Sequence, residues 1–135
     1  MSSDNLIEEG SGLHLDFSKI LSIKNDVIPC AVQNIDSGEV ILVAYVNDEA
    51  LKLALKTHTA VFWSTSRNEL WEKGKTSGET FTLLEVLVNC EQNSLLYRVR
   101  LAGTGACHTR DQSGSTRGCC YYRELTSGTT LAFVD

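Results

Sequence analysis

The apolar positions of this chain fall into short alternating or continuous runs divided by polar turn clusters, a pattern that predicts strands more often than helices. Ile28 to Gln33 and Glu39 to Val46 are β-branched runs on either side of Asn34, Asp36, Ser37 and Gly38, and they predict a hairpin. Pro29 stands at the start of the first run, where a missing N–H costs little. Asn47 followed by Asp48 and Glu49 has the form of an N-cap with two acids in the first turn. With Ala50, Leu51, Ala54 and Leu55 on one face, it predicts a short helix ending near Lys56. Ala60 to Ser64 predicts a strand. Ser66 with Glu69 three residues later has the form of a capping box ahead of Leu70 and Trp71, which predicts a second helix of about two turns stopped by Gly74. Thr80 to Cys90 and Leu95 to Leu101 flank the polar turn Glu91 to Ser94 and predict a second hairpin. Alternation carried through that turn puts Asn89, Glu91 and Asn93 on one face and Cys90 on the other. Beyond Gly103 the chain is rich in Gly, Ser, Thr and Cys, with one strand-like stretch at Thr130 to Val134. There is no internal repeat and no heptad. The expected fold class is α+β, mainly antiparallel β with short helices.

A chain of 135 residues suffices for one domain and not for two. Residues 1–13 have no periodicity and read as a flexible tail, leaving 14–135 as a single domain. The net charge of −5 is not that of a surface that displaces counterions from nucleic acid. No run approaches the roughly 20 apolar residues of a membrane span. Met1 to Ser11 is acidic and polar, without the basic and apolar regions of a signal peptide, so the expected compartment is the cytoplasm. In that setting Cys30, Cys90, Cys107, Cys119 and Cys120 point to metal ligation or catalysis rather than a disulfide framework.

Two constellations could carry chemistry. Cys107, with His108 adjacent, follows the second hairpin, and Cys119 and Cys120 close a later loop. Together with Cys90 they offer three spaced thiolates, the count that leaves a zinc ion one open position. The spacing is not that of a zinc finger, and the opposing reading is a small buried hydrophobe at Cys90 and incidental loop residues at Cys119 and Cys120. Cys30, inside an apolar strand, reads as core. The second constellation is Trp63, Ser64, Ser66, Arg67, Trp71, Lys73, Lys75, Thr76 and Ser77. Hydroxyls at the start of a short helix, beside Arg and Lys, suit a phosphate; the opposing reading is capping by Ser66 and solvated charge.

The stretches IPCAVQNIDSGEVILVAYVNDEAL, FWSTSRNELWEKGKTSG, LLEVLVNCEQNSLLYRV, GACHT and CCYYR, in this order, resemble phosphoribosyl-AMP cyclohydrolase, a zinc-dependent enzyme of histidine biosynthesis. The resemblance implies an intertwined homodimer with zinc between subunits, Cys90 from one chain and Cys107 and Cys120 from the other. It implies a substrate that is a small phosphorylated nucleotide, whose adenine ring is opened hydrolytically between N1 and C6. His108 is then the expected general acid or base. Three departures accompany it. The family's acidic D-C-D-x-D stretch, which carries magnesium, reads here Asn89, Cys90, Glu91, Gln92, Asn93, a degenerate site expected to hold magnesium weakly. The loop Asp111 to Gly118 is about six residues longer than the family's, and the family's S-R-S-R reads here Ser64, Thr65, Ser66, Arg67. These departures leave open which of Cys119 and Cys120 is the third ligand. They also keep two alternatives in view: a divergent paralogue acting on another purine or cyclic amidine, and a non-catalytic zinc-stabilised dimer.

Overall fold

The computed structural model describes the whole chain except residues 1–6, 19–25, 75–77, 79 and 104. Its centre is a four-stranded sheet in the order β2-β1-β6-β5. Strands β1 (Ile28–Asn34) and β2 (Val40–Val46) form the expected antiparallel hairpin, as do β5 (Phe81–Val88) and β6 (Leu95–Leu101). The two hairpins are joined by a parallel pairing of β1 with β6, from Cys30 opposite Leu95 to Asn34 opposite Val99. The helix α1 (Asp48–Thr57) follows β2. Its N-cap is Asn47, whose side chain accepts from the Ala50 N–H at 2.8 Å, and it ends at His58 in the left-handed region with φ 56°.

One face of the sheet is buried. Along β6, Leu95, Tyr97 and Val99 point into the core while Leu96, Arg98 and Arg100 point away. The core is closed by Ala50 and Ala54 of α1 and by Val61 and Phe62 of β3 (Val61–Ser64). Tyr97 meets Phe62 with ring centroids 5.6 Å apart, and its hydroxyl donates to the Val61 carbonyl, so a large buried ring keeps its polar end satisfied. On the opposite face Val43, Ala31, Leu96 and Leu87 stand in cross-strand register, one from each strand, and make an apolar row. Val43 is 50% and Leu87 42% exposed. Among the described residues no helix is long and apolar enough to cross a membrane.

The second expected helix is a strand. β4 (Glu69–Glu72) pairs antiparallel with β3 through the turn Thr65–Asn68, in which Asn68 takes φ 56°. The Ser66 hydroxyl, expected as a cap, lies 3.4 Å from the Ser64 hydroxyl instead. A two-turn helix before Gly74 would bury little, since isolated short helices are marginal. The hairpin brings Trp71 opposite Phe62, with ring centroids 5.3 Å apart, and adds a ladder of backbone bonds.

Three further differences concern chain ends and turns. β5 stops at Val88, so Asn89, Glu91 and Asn93 are gathered by a turn rather than by strand alternation. β7 (Arg123–Leu125) pairs with β8 (Leu131–Phe133); only the second had a signal in the sequence. Residues 7–13, expected within the tail, carry hydrogen bonds to the C-terminal region. The Leu131 N–H donates to Ser11, the Leu13 N–H to Thr129, and the Arg123 guanidinium to the Gly10 carbonyl.

Candidate active site

A cleft of about 400 Å³ separates β4 and the residues flanking it from the segment that follows β6. Its first wall carries Arg67, Trp71 and Lys73. Its second carries Cys107, His108 and Cys120. The cysteines are 13 positions apart, and a self-contained excursion brings them back together. The N–H groups of Ala106 and Cys107 both donate to the Arg117 carbonyl, and the Arg117 N–H returns to Thr109. Arg110 and Thr116 form a bridge, beyond which Asp111 accepts from the N–H groups of Ser113 and Ser115 in a tight turn. The residues between Arg110 and Thr116 therefore fold beyond the bridge and do not separate the thiols. Gly105 is required where the arms meet, because a Cβ there would come 2.4 Å from the Thr116 side chain. Finally the Cys120 N–H donates to the Ile41 carbonyl at 2.8 Å, tying this end to β2.

Cys107 is buried, with its sulfur 3.1 Å from the Thr109 hydroxyl. The Cys120 side chain hydrogen-bonds to it and holds the Cys107 thiol well below the usual range, outweighing the upward push of burial. The same bond pushes the Cys120 thiol up, because the proton retained by the pair resides there. A lowered Cys107 thiol favours the thiolate, which is the form a soft metal binds. Cys119 is different. Its thiol is raised by burial, and its sulfur accepts from the Tyr121 N–H at 3.4 Å. Of the two vicinal cysteines, Cys120 is the one that lines the cleft with Cys107. Cys30 is fully buried and pushed up to about 12 by burial, as expected of a core residue.

Cys90 lies elsewhere, exposed in the turn that closes the β5–β6 hairpin, while the segment bearing Cys107 leaves the open end of that hairpin. Among the described residues no three of His, Cys, Asp and Glu converge as a metal-binding group within one chain. The Cys90 turn is organised by amides. Asn89 Oδ1 accepts from the N–H groups of Asn93 and Ser94, Asn89 Nδ2 donates to Asn93 Oδ1 at 2.6 Å, and Asn93 Nδ2 donates to Glu91. Both amide oxygens already accept from N–H donors and the turn carries a single carboxylate, so these residues fit a magnesium ion poorly.

The expected anion-binding residues divide. Arg67, Trp71 and Lys73 face the cleft, with Arg67 paired to Glu69 at 3.4 Å and the Lys73 ammonium 5.2 Å from the Phe81 ring centre. Trp63, Ser64 and Ser66 line a second, smaller recess, which Trp71 borders as well. No helix begins there, so the expected dipole is replaced by hydroxyls, with Ser64 Oγ accepting from the Arg67 N–H. Lys75, Thr76 and Ser77 lie outside the described residues. One contact had no signal in the sequence: His108 Nε2 is 2.8 Å from a carboxylate oxygen of Glu8, which stands 100 positions earlier in an aperiodic stretch.

Residues 42–122 match the family model described as phosphoribosyl-AMP cyclohydrolase. A phosphoribosyl-AMP cyclohydrolase of Hyphomonas neptunium is 41% identical over 111 residues, covering 82% of this chain and 79% of that protein. One of Archaeoglobus fulgidus is 43% identical over 99 residues, 73% of this chain and 85% of its own length. The histidine biosynthesis bifunctional protein HisIE of Thermus thermophilus is 39% identical over 121 residues, 89% of this chain and 53% of that longer protein.

Proposed function

The chain belongs to the phosphoribosyl-AMP cyclohydrolase family, hydrolases that act on a cyclic amidine in histidine biosynthesis, and from that membership we propose that it opens the adenine ring of phosphoribosyl-AMP between N1 and C6 in a zinc-dependent reaction. The observation that carries this reading is the cleft itself, which sets a thiol pair and an imidazole against a guanidinium, an ammonium and an indole. Zinc would be held by Cys107 and Cys120 of one chain with Cys90 of a second copy, and would supply water that is nucleophilic at neutral pH. The paired thiols fit that metal in donor chemistry, and the separate position of Cys90 is what a site shared between copies requires.

The chain's own groups then divide the work. His108 takes one proton from water as oxygen bonds to C6 and returns it to N1 as the N1–C6 bond breaks, while the proton left on that oxygen passes to the exocyclic nitrogen, so that C6 becomes a carboxamide and one water is added. Trp71 offers a flat apolar surface to the base. Arg67 and Lys73 face the charge of the phosphates. A homodimer is supported by the uncovered apolar row of Val43, Ala31, Leu96 and Leu87, whose burial against a second copy would remove it from water. Five free thiols suit the reducing cytoplasm.

The direct test is an absorbance assay of phosphoribosyl-AMP ring opening. Zinc-loaded protein should turn the substrate over, lose activity on chelation and regain it with zinc. Absence of ring opening by zinc-loaded protein would transfer support to a divergent paralogue, the reading favoured by the amide-filled turn at Asn89 to Asn93. A second measurement concerns the anion subsite. Arg67→Ala should weaken AMP binding in calorimetry by about tenfold, the loss of one charge-assisted bond at an exposed position. An unchanged dissociation constant would reduce Arg67 to a surface charge balanced by Glu69.

A further inference from the structure

The contact between Glu8 and His108 is built from several directions. The Glu8 carbonyl accepts from the Tyr122 hydroxyl at 2.8 Å, and the neighbouring Glu9 carboxylate accepts from Arg117, a guanidinium only 5% exposed and stacked 3.8 Å from the Tyr122 ring. Arg123 then holds the Gly10 carbonyl, and Ser11 to Leu13 join the turn before β8. The backbone from the Glu8 carbonyl to Gly10 is therefore held by Tyr122 and Arg123, two and three positions after Cys120, and the Glu8 side chain is left to reach across to His108. The imidazole is 75% exposed, so packing does little to hold it. An untethered side chain of that exposure samples several rotamers and both neutral tautomers.

We infer that Glu8 is a positioning residue for His108, an inference that rests on His108 carrying the proton in the proposed reaction. A carboxylate accepts and never donates when ionised, so at 2.8 Å it requires the N–H of the neutral ring to sit on Nε2. Nδ1 is left with its lone pair. The ring is thereby given one tautomer and one orientation at the rim of the cleft, beside Cys107. Through this contact Glu8 becomes part of the active site by way of His108.

A role in stability alone predicts something else. A hydrogen bond this exposed contributes little to folding, so removing it should leave the melting temperature almost unchanged. For zinc-loaded protein acting on phosphoribosyl-AMP, Glu8→Ala should lower kcat by about tenfold with KM within about twofold, the cost of a proton carrier that is present but unaligned. Glu8→Gln, which keeps an acceptor oxygen, should recover part of that loss. Long-range proton–nitrogen NMR correlations of the metal-free protein should show the His108 Nε2–H tautomer in the native chain and a mixture in Glu8→Ala. An unchanged tautomer, an unchanged kcat in an active enzyme, a loss confined to KM, or a fall in kcat matched by a large fall in melting temperature in both variants would overturn the inference. If the native protein does not open phosphoribosyl-AMP, the proposed function fails separately, and the ring tautomer alone decides whether Glu8 sets the imidazole.

Discussion

Mixing Cys90→Ser protein with Cys107→Ser protein, unfolding them together and refolding with zinc, should restore ring-opening activity that neither has alone. Each variant by itself should have lost at least about a thousandfold, because a metal centre missing one of three thiolates neither holds nor presents its ion. In a mixed dimer one composite site combines both substitutions and the other carries neither. Random pairing makes about half of the dimers mixed, each with one intact site of two, so about a quarter of the native activity should return. A site within a single chain gives no recovery, since every copy then retains its own defect. The expectation follows from two facts: Cys107 and Cys120 line one cleft, and Cys90 stands apart from them in the turn after β5. Zinc content measured on the same samples should track activity.

Magnesium should have almost no effect on the native enzyme. With zinc held constant, the rate of ring opening should change by less than about twofold up to millimolar magnesium, because the turn offers one carboxylate and a hard cation needs several oxygens. Glu91 supplies that carboxylate, and the side chains of Asn89 and Asn93 are bonded to each other, that of Asn89 also to backbone N–H groups and that of Asn93 to Glu91. Replacing all three as Asn89→Asp, Glu91→Asp and Asn93→Asp should reverse the behaviour. The mutual amide bond is then lost, three like charges crowd one turn, and magnesium should raise activity by about tenfold or more by relieving them. Strong activation of the native protein by magnesium would mean that other residues supply the ion's ligands, and would remove the main argument for divergence from the family pattern.

What could be read from the sequence was local. The cap at Asn47 and the acids after it are consecutive residues, and α1 forms where they place it. The same short-range logic failed at Ser66, because Asn68 in the left-handed region and the pairing of Trp71 with Phe62 favour a hairpin over a cap that had little helix to stabilise. The cysteines and the cationic residues were identifiable by type, and it was the resemblance, not their spacing, that implied Cys107 and Cys120 come together. Their convergence depends on a loop that closes on itself between Arg110 and Thr116, and on one backbone bond from Cys120 to β2. Glu8 was beyond reach for a further reason. A single carboxylate in an aperiodic segment carries no pattern, and its partner stands at the opposite end of the chain.

The parallel pairing of β1 with β6 bears on how the chain reaches this state during synthesis. Cys30 faces Leu95 and Asn34 faces Val99, so the middle of the sheet joins residues 65 positions apart. A ribosome that has released β1, β2, α1 and the β3–β4 hairpin has released most of the groups that cover the core, yet not the strand carrying Tyr97. Until β6 emerges, Val32 and Phe62 lack the Tyr97 ring that lies against both in the finished sheet, and β1 presents an unpaired edge beside an apolar face. Closure waits on contacts of long sequence separation, the class that slows folding most. The nascent chain is most exposed to aggregation in the interval between completion of β4 and arrival of β6, and chaperone dependence, if the protein has any, belongs to that interval.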